Sequence, residues 1–417
     1  MGRLKNESTL ESGLKNVIIV CDSARILGGI ENVAFPSAIG LAQKGLNVTI
    51  FSSMGPLDDM LLNNGIHVQC LNQSDILSYP NRLKAFCQGI FNLEAYRRFN
   101  ELLKHYNPAE SIVHIHCWSK ALSGCIFLST SKLGFKTVVT IHDFFSVCPN
   151  GALFNFRKVQ HCSLKPLSLK CLACNCDARN YIHKIYRYVR SVIQEVLIKK
   201  NKKLYAITIS NTTCDLAIPL LKGKIRKSFY LRNPVLLNEG EVVNIAKNDY
   251  YLFIGRLSKE KGAELFCEAI TQLGLKGIVL GNGYLLKSLK EKFPKIIFVG
   301  WVAGKEKDFI IRKAKALVAS YLWNETFGLV IPEMKSYGIP CIVPDKGGPS
   351  EQIEDGIDGF HYAFGEIESL KKVLLKYEEQ DLGSLQKRLL SRFNHDDYTI
   401  EVHIKRLINI YNDILKQ

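Results

Sequence analysis

Short apolar runs recur along the chain, each closed by glycine, asparagine or a charged cluster and followed by a stretch of helical period. Such alternation predicts strand-then-helix units, and therefore parallel sheets with helices on both faces. In the first half the pattern predicts strands at Asn16 to Cys21, Asn47 to Ser53, Gly65 to Leu71, Ser111 to His116, Lys136 to Ile141 and Tyr205 to Ser210. Helices are expected from about Glu31 to Lys44 and from Asn92 to His105. Phe229 to Pro234 leads into what reads as a linker, after which the alternation restarts. Further strands are expected at Tyr250 to Gly255, Gly277 to Leu280, Ile296 to Val299, Leu317 to Leu322 and Ile339 to Pro344. The expected fold class is α/β, with two Rossmann-like domains, 1–235 and 236–395, and a cleft between them. A last helix, 396–417, is long enough to lie back across the first domain.

Two segments break the alternation. Phe144 to Asp177 lacks a clear period and carries Cys148, Cys162, Cys171, Cys174 and Cys176, so it reads as an irregular insertion spanning 144–177. Arg179 to Lys203 reads as a basic amphipathic helix. Its Ile182, Ile185, Val189, Val192, Ile193 and Val196 form one apolar stripe, flanked by Lys184, Arg187 and Arg190 and ending in Lys199, Lys200, Lys202 and Lys203. That stripe has two uses: packing on the core beneath a solvated basic face, or contact with an anionic lipid surface.

The chain has 417 residues, 47% hydrophobic and 23% charged, enough for two sizeable cores. It has no apolar run of membrane-spanning length, and Met1 to Lys15 is polar, so a cytoplasmic protein is expected, with a peripheral place on the inner face of the plasma membrane as an extension of that reading. Charge is unevenly distributed. The first 235 residues hold 30 Lys/Arg against 14 Asp/Glu, whereas the remainder holds 25 of each, so the whole net charge of +16 sits in the first domain. That domain is expected to face something anionic: a membrane surface, a lipid pyrophosphate or nucleic acid. No aromatic-basic reader module is visible, so nucleic acid is set aside.

Candidate chemistry gathers at strand ends, where open α/β sheets bind ligands. Between Leu317 and Gln352, Glu325 and Glu333 lie either side of Gly328, where an apolar helix begins. Its N-terminus suits a phosphate, and the two carboxylates suit hydroxyl-rich groups at either end of a ligand such as a sugar nucleotide. Arg256 and Lys261 flank one turn after the first strand of the second half and can converge on a diphosphate. Gly28 and Gly29 let backbone approach a ligand after the first strand of the chain. A nicotinamide site is rejected, because there is no G-x-G-x-x-G run and Phe51, Ser52 and Ser53 stand where an acidic residue belongs. His116 ends one strand, and His142 with Asp143 ends the next. Cys171 and Cys174 have chelating spacing, and Cys148 and Cys162 complete a set of four. The alternatives there are a structural zinc and a loop of free thiols. Other cysteines, such as Cys21, Cys267 and Cys341, fall in apolar elements and read as core residues.

These motifs resemble the retaining glycosyltransferases of family 4, over nearly the whole chain. The resemblance rests on Glu325 and Glu333 with Phe327 and Gly328, on Gly347, Gly348 and Glu351, on Gly255, Arg256 and Lys261, on Gly28, Gly29 and Glu31, and on His116. His142 and the Cys-rich stretch are similar to a branch acting on bacterial surface polysaccharides such as capsule or lipopolysaccharide. The resemblance implies the GT-B fold and transfer of a hexose-type sugar from a UDP- or GDP-sugar to a hydroxyl of a lipid-linked glycan, with anomeric configuration kept. It implies that Arg256 and Lys261 hold the diphosphate, with help from the backbone of Gly328 and Leu329. Glu333 would meet the ribose, Glu325 the donor sugar, Gly29 the phosphate or sugar, and His116 the reacting centre. No catalytic metal is expected, since no convincing Asp-x-Asp loop is present. Met334 and Lys335 depart from the small residues usual after Glu333. The rival readings are an inactive nucleotide-binding scaffold and a sugar-nucleotide epimerase of the same fold.

Overall fold

The computed structural model describes residues 13–417; the polar start noted at Met1 to Lys15 lies mostly outside the described residues. In chain order the strands are β1 (Asn16–Ser23), β2 (Asn47–Met54), β3 (His67–Cys70), β4 (Ser111–Ile115), β5 (Lys136–Ile141), β6 (Phe154–Asn155), β7 (Gln160–His161), β8 (Leu204–Thr208), β9 (Ser228–Tyr230), β10 (Tyr250–Ile254), β11 (Lys276–Leu280), β12 (Ile297–Gly300), β13 (Ala314–Val318), β14 (Cys341–Pro344) and β15 (Gly359–Tyr362). The helices that matter below are α1 (Glu31–Gln43), α2 (Arg82–Ile90), α3 (Leu169–Ala173), α4 (Tyr181–Lys200), α5 (Asn211–Leu221), α6 (Ala263–Gln272), α7 (Val330–Ser336) and α8 (Ile400–Lys416).

Two parallel sheets result. The first has the order β3-β2-β1-β4-β5-β8-β9 and the second β12-β11-β10-β13-β14-β15. Both are doubly wound. Strand order reverses between β1 and β4 in one and between β10 and β13 in the other, and at such reversals the loops part to leave a crevice. Both faces of each sheet are buried, as parallel sheets require. Along β1, Ile18 and Val20 face one core, while Val17, Ile19 and Cys21 face the other. Along β10, Tyr251 and Phe253 oppose Leu252 in the same way. The chain is thus an α/β protein of two Rossmann-like halves, with its last helix on the first half. Ile404, Leu407, Ile410, Tyr411 and Ile414 of α8 join the core built on β1 and α1. Gly40 of α1 leaves room for that crossing, since a Cβ there would lie 2.6 Å from Ile404 Cγ1.

Ahead of the expected linker, Ser228–Tyr230 pairs with β8 as the seventh strand of the first sheet. Two expectations are corrected. The stretch from Phe144 to Asp177 is more ordered than its composition implied, since it holds the β6–β7 hairpin and α3. The strand expected at Leu317 to Leu322 begins and ends earlier, at Ala314–Val318. Ala319 to Trp323 then leaves the sheet, with Ser320 bonded to the Gly262 carbonyl and Tyr321 buried in the core of its own domain.

Candidate functional site

The loops at the two reversals face each other. After β10 the chain passes Arg256, makes a short turn at Lys259–Lys261 and enters α6. After β13 it presents Tyr321, Trp323 and Glu325. Here the Lys261 ammonium donates to a carboxylate oxygen of Glu325, both side chains being largely buried. Trp323 Nε1 donates to the same oxygen at 3.1 Å. The lysine also lies over the Trp323 ring, 4.8 Å from its centroid, and near the Tyr321 ring at 5.1 Å. An ion pair between aromatic walls is strengthened by the lower local dielectric, and the rings favour the cation directly. Arg256 is not drawn in: its side chain is 65% exposed and 3.9 Å from Glu260, which leaves it free to swing toward a ligand.

Glu333 lies in α7 and pairs with Lys307, a partner not foreseen from the sequence. Lys307 sits in a polar stretch with no distinguishing pattern, so only the packing reveals it. The turn into α7 requires glycine. Gly328 has φ +79°, and a Cβ there would come 2.9 Å from Pro349 Cγ. The unusual residue after Met334 has its own partners: buried Lys335 donates to Asp358 at 2.5 Å and to the Gln352 carbonyl at 2.7 Å. It replaces small-residue packing with a buried, fully bonded cation.

On the first domain, Gly28 and Gly29 lie in the loop between β1 and α1. A Cβ on Gly29 would stand 3.1 Å from Leu329 Cδ1, so these two expected donor residues meet across the cleft. Asp22, at the end of β1, accepts from the backbone of Lys120, Ala121 and Leu122 at 2.8–2.9 Å and fixes the loop after β4. Burial pushes its carboxyl upward, and that of Glu31 likewise.

His116 is buried just beyond β4, with Nδ1 2.9 Å from His142 Nε2. Its Nε2 is buried without a partner. His114 stacks beside it at 4.1 Å between centroids and is bonded to Tyr411 and Thr140. Burial, reinforced by neighbouring imidazoles, holds His114 and His142 at about 3 and His116 well below the ordinary histidine value. All three rings are therefore neutral near pH 7, so His116 can offer or accept a hydrogen bond but not a positive charge.

The two loops are tied together. Thr326 Oγ1 donates to the His142 carbonyl at 2.8 Å. Asn324 Nδ2 donates to the carbonyls of Ala152 and Leu153 at 3.1 Å each. Glu351, singled out in the sequence only as a motif residue, caps α5 from the opposite domain: it accepts from the backbone N–H of Asn211 at 2.7 Å and of Thr212 at 2.5 Å, and from the Thr212 hydroxyl at 2.6 Å. Glu325 thus lies between two side chains that grip the first domain.

Three cysteines of the insertion, Cys148, Cys171 and Cys176, lie near a lysine. Lys184 of α4 is buried, and its ammonium donates to Cys171 Sγ at 3.2 Å, with Cys148 and Cys176 close enough to raise its pKa against the cost of burial. Burial raises the Cys148 thiol and pushes Cys176 up to about 11. Cys174 Sγ accepts from Asn155 at 3.6 Å, and Cys162 bonds through its backbone to Leu153. Among the described residues no group of three or more His, Cys, Asp or Glu could hold a metal ion. Cys148, Cys162, Cys171 and Cys174 are therefore not gathered into a four-thiolate set, and Cys171 is bonded to the Lys184 ammonium. Cys21, Cys267 and Cys341 are buried. Among the described residues no helix is long and apolar enough to cross a membrane.

Residues 239–392 match the protein-family model Glycosyl transferases group 1. An uncharacterized 41.2 kDa protein in the cps region of Klebsiella pneumoniae is 25% identical, over 60% of this chain and 71% of its own length. The UDP-Gal:alpha-D-GlcNAc-diphosphoundecaprenol alpha-1,3-galactosyltransferase of Escherichia coli is 21% identical, over 43% of this chain; the match spans half of that enzyme. HepE of Anabaena, solved in complex with UDP and glucose, superposes with a TM-score of 0.67 at 14% identity, covering 95% of this chain and 98% of that one. The fold is that of the GT-B glycosyltransferases. Residues 239–392 carry the match to that family model, and the enzyme class is that of a glycosyltransferase.

Proposed function

We propose that the protein transfers a hexose-type sugar from a UDP- or GDP-sugar to a hydroxyl of a lipid-linked glycan, with retention, during assembly of a cell-surface polysaccharide. The observation that carries this reading is the Lys261–Glu325 pair, placed at the strand reversal of the second sheet, on the loop whose Thr326 bonds to the His142 carbonyl of the first domain. Without donor, the two charges neutralise each other. A diphosphate would compete for Lys261, joined by the exposed Arg256, and would free Glu325 for the sugar hydroxyls. The departing nucleoside diphosphate gains negative charge as the glycosidic bond breaks, and two cations beside it stabilise that charge where water is scarce. Glu333, held by Lys307, is assigned to the ribose. Neutral His116 offers its unpartnered Nε2 to the sugar or to the acceptor hydroxyl.

The choice of acceptor is supported by the basic first domain and by two relatives, one in a cps region and one acting on a diphosphoundecaprenol-linked sugar. The reaction is assigned to the cytoplasm, at the inner face of the plasma membrane.

The test is a thermal-shift series with UDP, GDP, ADP and their common sugar conjugates. A ligand that binds only the folded state raises the melting temperature. A shift with one nucleoside diphosphate, lost in Arg256→Ala, is expected and identifies the base. The absence of a shift with every one of them would favour an inactive scaffold. Release of a rearranged sugar without acceptor would favour an epimerase.

A further inference from the structure

The long helix α4 is turned inside out. Its buried positions are polar: Lys184, Arg190, Ser191 and Gln194, with Leu197 and Ile198 only at its far end. Each buried polar side chain named here except Ser191 has a partner. Lys184 meets Cys171 at 3.2 Å, Arg190 donates to the Ser119 carbonyl at 2.8 Å, and Gln194 links Trp118 Nε1 to the Phe145 carbonyl at 2.7 Å on each side. The opposite face exposes Tyr181, Ile182, Ile185, Val189, Val192 and Val196, with Ile182 77% exposed and Val196 50%. Apart from Ile193, which packs against the core, the stripe that helical period makes a candidate for the core is therefore on the outside, roughly 21 Å long at the usual rise of 1.5 Å per residue. Uncovered apolar surface of this extent is costly in water and marks an interaction face.

Two neighbouring helices extend it. Phe86 of α2 lies 5.1 Å from the Tyr186 ring, and α2 also exposes Leu83 at 78%. On the other side, Tyr181 donates to the Leu172 carbonyl of α3 at 3.0 Å, and α3 exposes Leu169 at 82%. Cations are interleaved with these side chains: Arg82 and Lys84 on α2, Lys170 on α3, and Lys199 and Lys200 at the end of α4. Neither α2 nor α3 contains Asp or Glu, and the one acid of α4, Glu195, is paired with Lys199 at 2.8 Å.

We propose that α2, α3 and the outer face of α4 form a docking face for an anionic lipid bilayer. The apolar side chains would enter the boundary between headgroups and acyl chains, while the lysines and arginines lie among the phosphates. Charge decides between occupants. A second copy of this face would bring like cations together, whereas an anionic surface complements them. The inference goes beyond glycosyl transfer and holds equally if the acceptor is a soluble glycan.

The test is flotation of the full chain with vesicles of phosphatidylcholine alone or mixed with phosphatidylglycerol. Binding to the mixed vesicles is expected, at least ~10-fold weaker on phosphatidylcholine and weakened by salt. Ile185→Glu/Val189→Glu should reduce it at least ~10-fold, by putting carboxylates into the apolar boundary. These exposed positions should leave the melting temperature and any nucleotide-induced shift unchanged, which separates loss of docking from loss of the donor site. Lys84→Glu/Lys170→Glu tests the same face without altering α4 and should also weaken binding. No binding to mixed vesicles at low salt, or equal binding by both variants, overturns the proposal. So does a concentration-dependent dimer that the apolar variant abolishes while vesicle binding is absent, which would assign the face to a second copy.

Discussion

Thr326 reaches across the cleft and donates its hydroxyl to the His142 carbonyl at 2.8 Å, while the His142 ring holds His116 at 2.9 Å. The loop that carries Glu325 is thereby coupled to the histidine pair of the first domain by one hydrogen bond and one residue of backbone. Thr326→Val keeps the shape and removes the donor, leaving the His142 carbonyl short of a partner, a loss of about 1 kcal/mol. A fall in kcat/KM of roughly 5-fold is expected, with the domains each still folded. Steady-state kinetics on the variant check it; an unchanged kcat/KM would mean that the bond does not matter to the assembled site.

The Lys261–Glu325 pair makes a less intuitive forecast. Glu325→Ala removes the group assigned to the sugar hydroxyls, so transfer should fall ~10²-fold or more. It also releases Lys261 from its only carboxylate partner among the described residues, so nucleoside diphosphate should bind at least as tightly as before. Lys261→Ala should do the opposite and remove most of the nucleotide-induced thermal shift. Parallel loss of nucleotide binding in both variants would contradict the competition argued here.

How much of this could be read from sequence depends on what each residue needs. Strands were legible because buried parallel strands are unbroken apolar runs, as in Asn16–Ser23 and Lys136–Ile141. The glycines and acids of the second domain were legible because their spacing places them at strand ends. The orientation of α4 was not. Period reveals that Ile182, Ile185, Val189, Val192 and Val196 share a face, but it does not reveal that Lys184, Arg190 and Gln194 find buried partners in Cys171, Ser119, Trp118 and Phe145, all distant in sequence. The same cause hid Lys307 behind Glu333 and the capping of α5 by Glu351: long-range polar pairing has no local period.

Gly348 offers a backbone test of how the cleft is built. A Cβ at this position would sit 2.2 Å from the Thr326 carbonyl oxygen and 2.8 Å from Phe327 Cα. Both are main-chain atoms, which cannot swing aside as a side-chain tip can. Gly348→Ala must therefore push apart the two loops that frame Glu325. A stability loss of about 1–3 kcal/mol is expected, seen in urea unfolding of the second domain, together with a larger proportional loss of transfer. Gly274→Ala is a control for conformational strain alone, since φ there is +66° and nothing stands within 4 Å of its Cβ. If Gly348→Ala proves no worse than that control, the two loops are not in the close contact described.

The buried imidazoles set a pH dependence whose sign can be worked out. Burial holds His114 and His142 at about 3 in the folded protein, and His403, which lies on α8 and contacts Ser37 and the Arg232 carbonyl, at about 4. Burial is the first cause in each case. In the unfolded chain all three titrate near 6.5, so between pH 6.5 and 4 the unfolded state binds more protons than the folded one. Their contribution to stability is complete above pH 6.5 and is lost as the pH falls, by up to about 1.4 kcal/mol per pH unit for each histidine. Asp143 works the other way. Burial lifts it to about 6, so it favours the folded state at low pH and ceases to do so as the pH rises from its unfolded value through 6. Asp22 and Glu31 are raised by burial as well, but five imidazoles, those of His114, His116, His142, His161 and His403, are depressed, which leaves a net decline on acidification. The melting temperature should therefore drop steeply from pH 6.5 to 4.5, and His142→Asn, which can still bond to His116 but carries no titrating ring, should flatten the slope. A profile in which the variant falls as steeply as the parent would show that His142 takes up its proton without unfolding the domain.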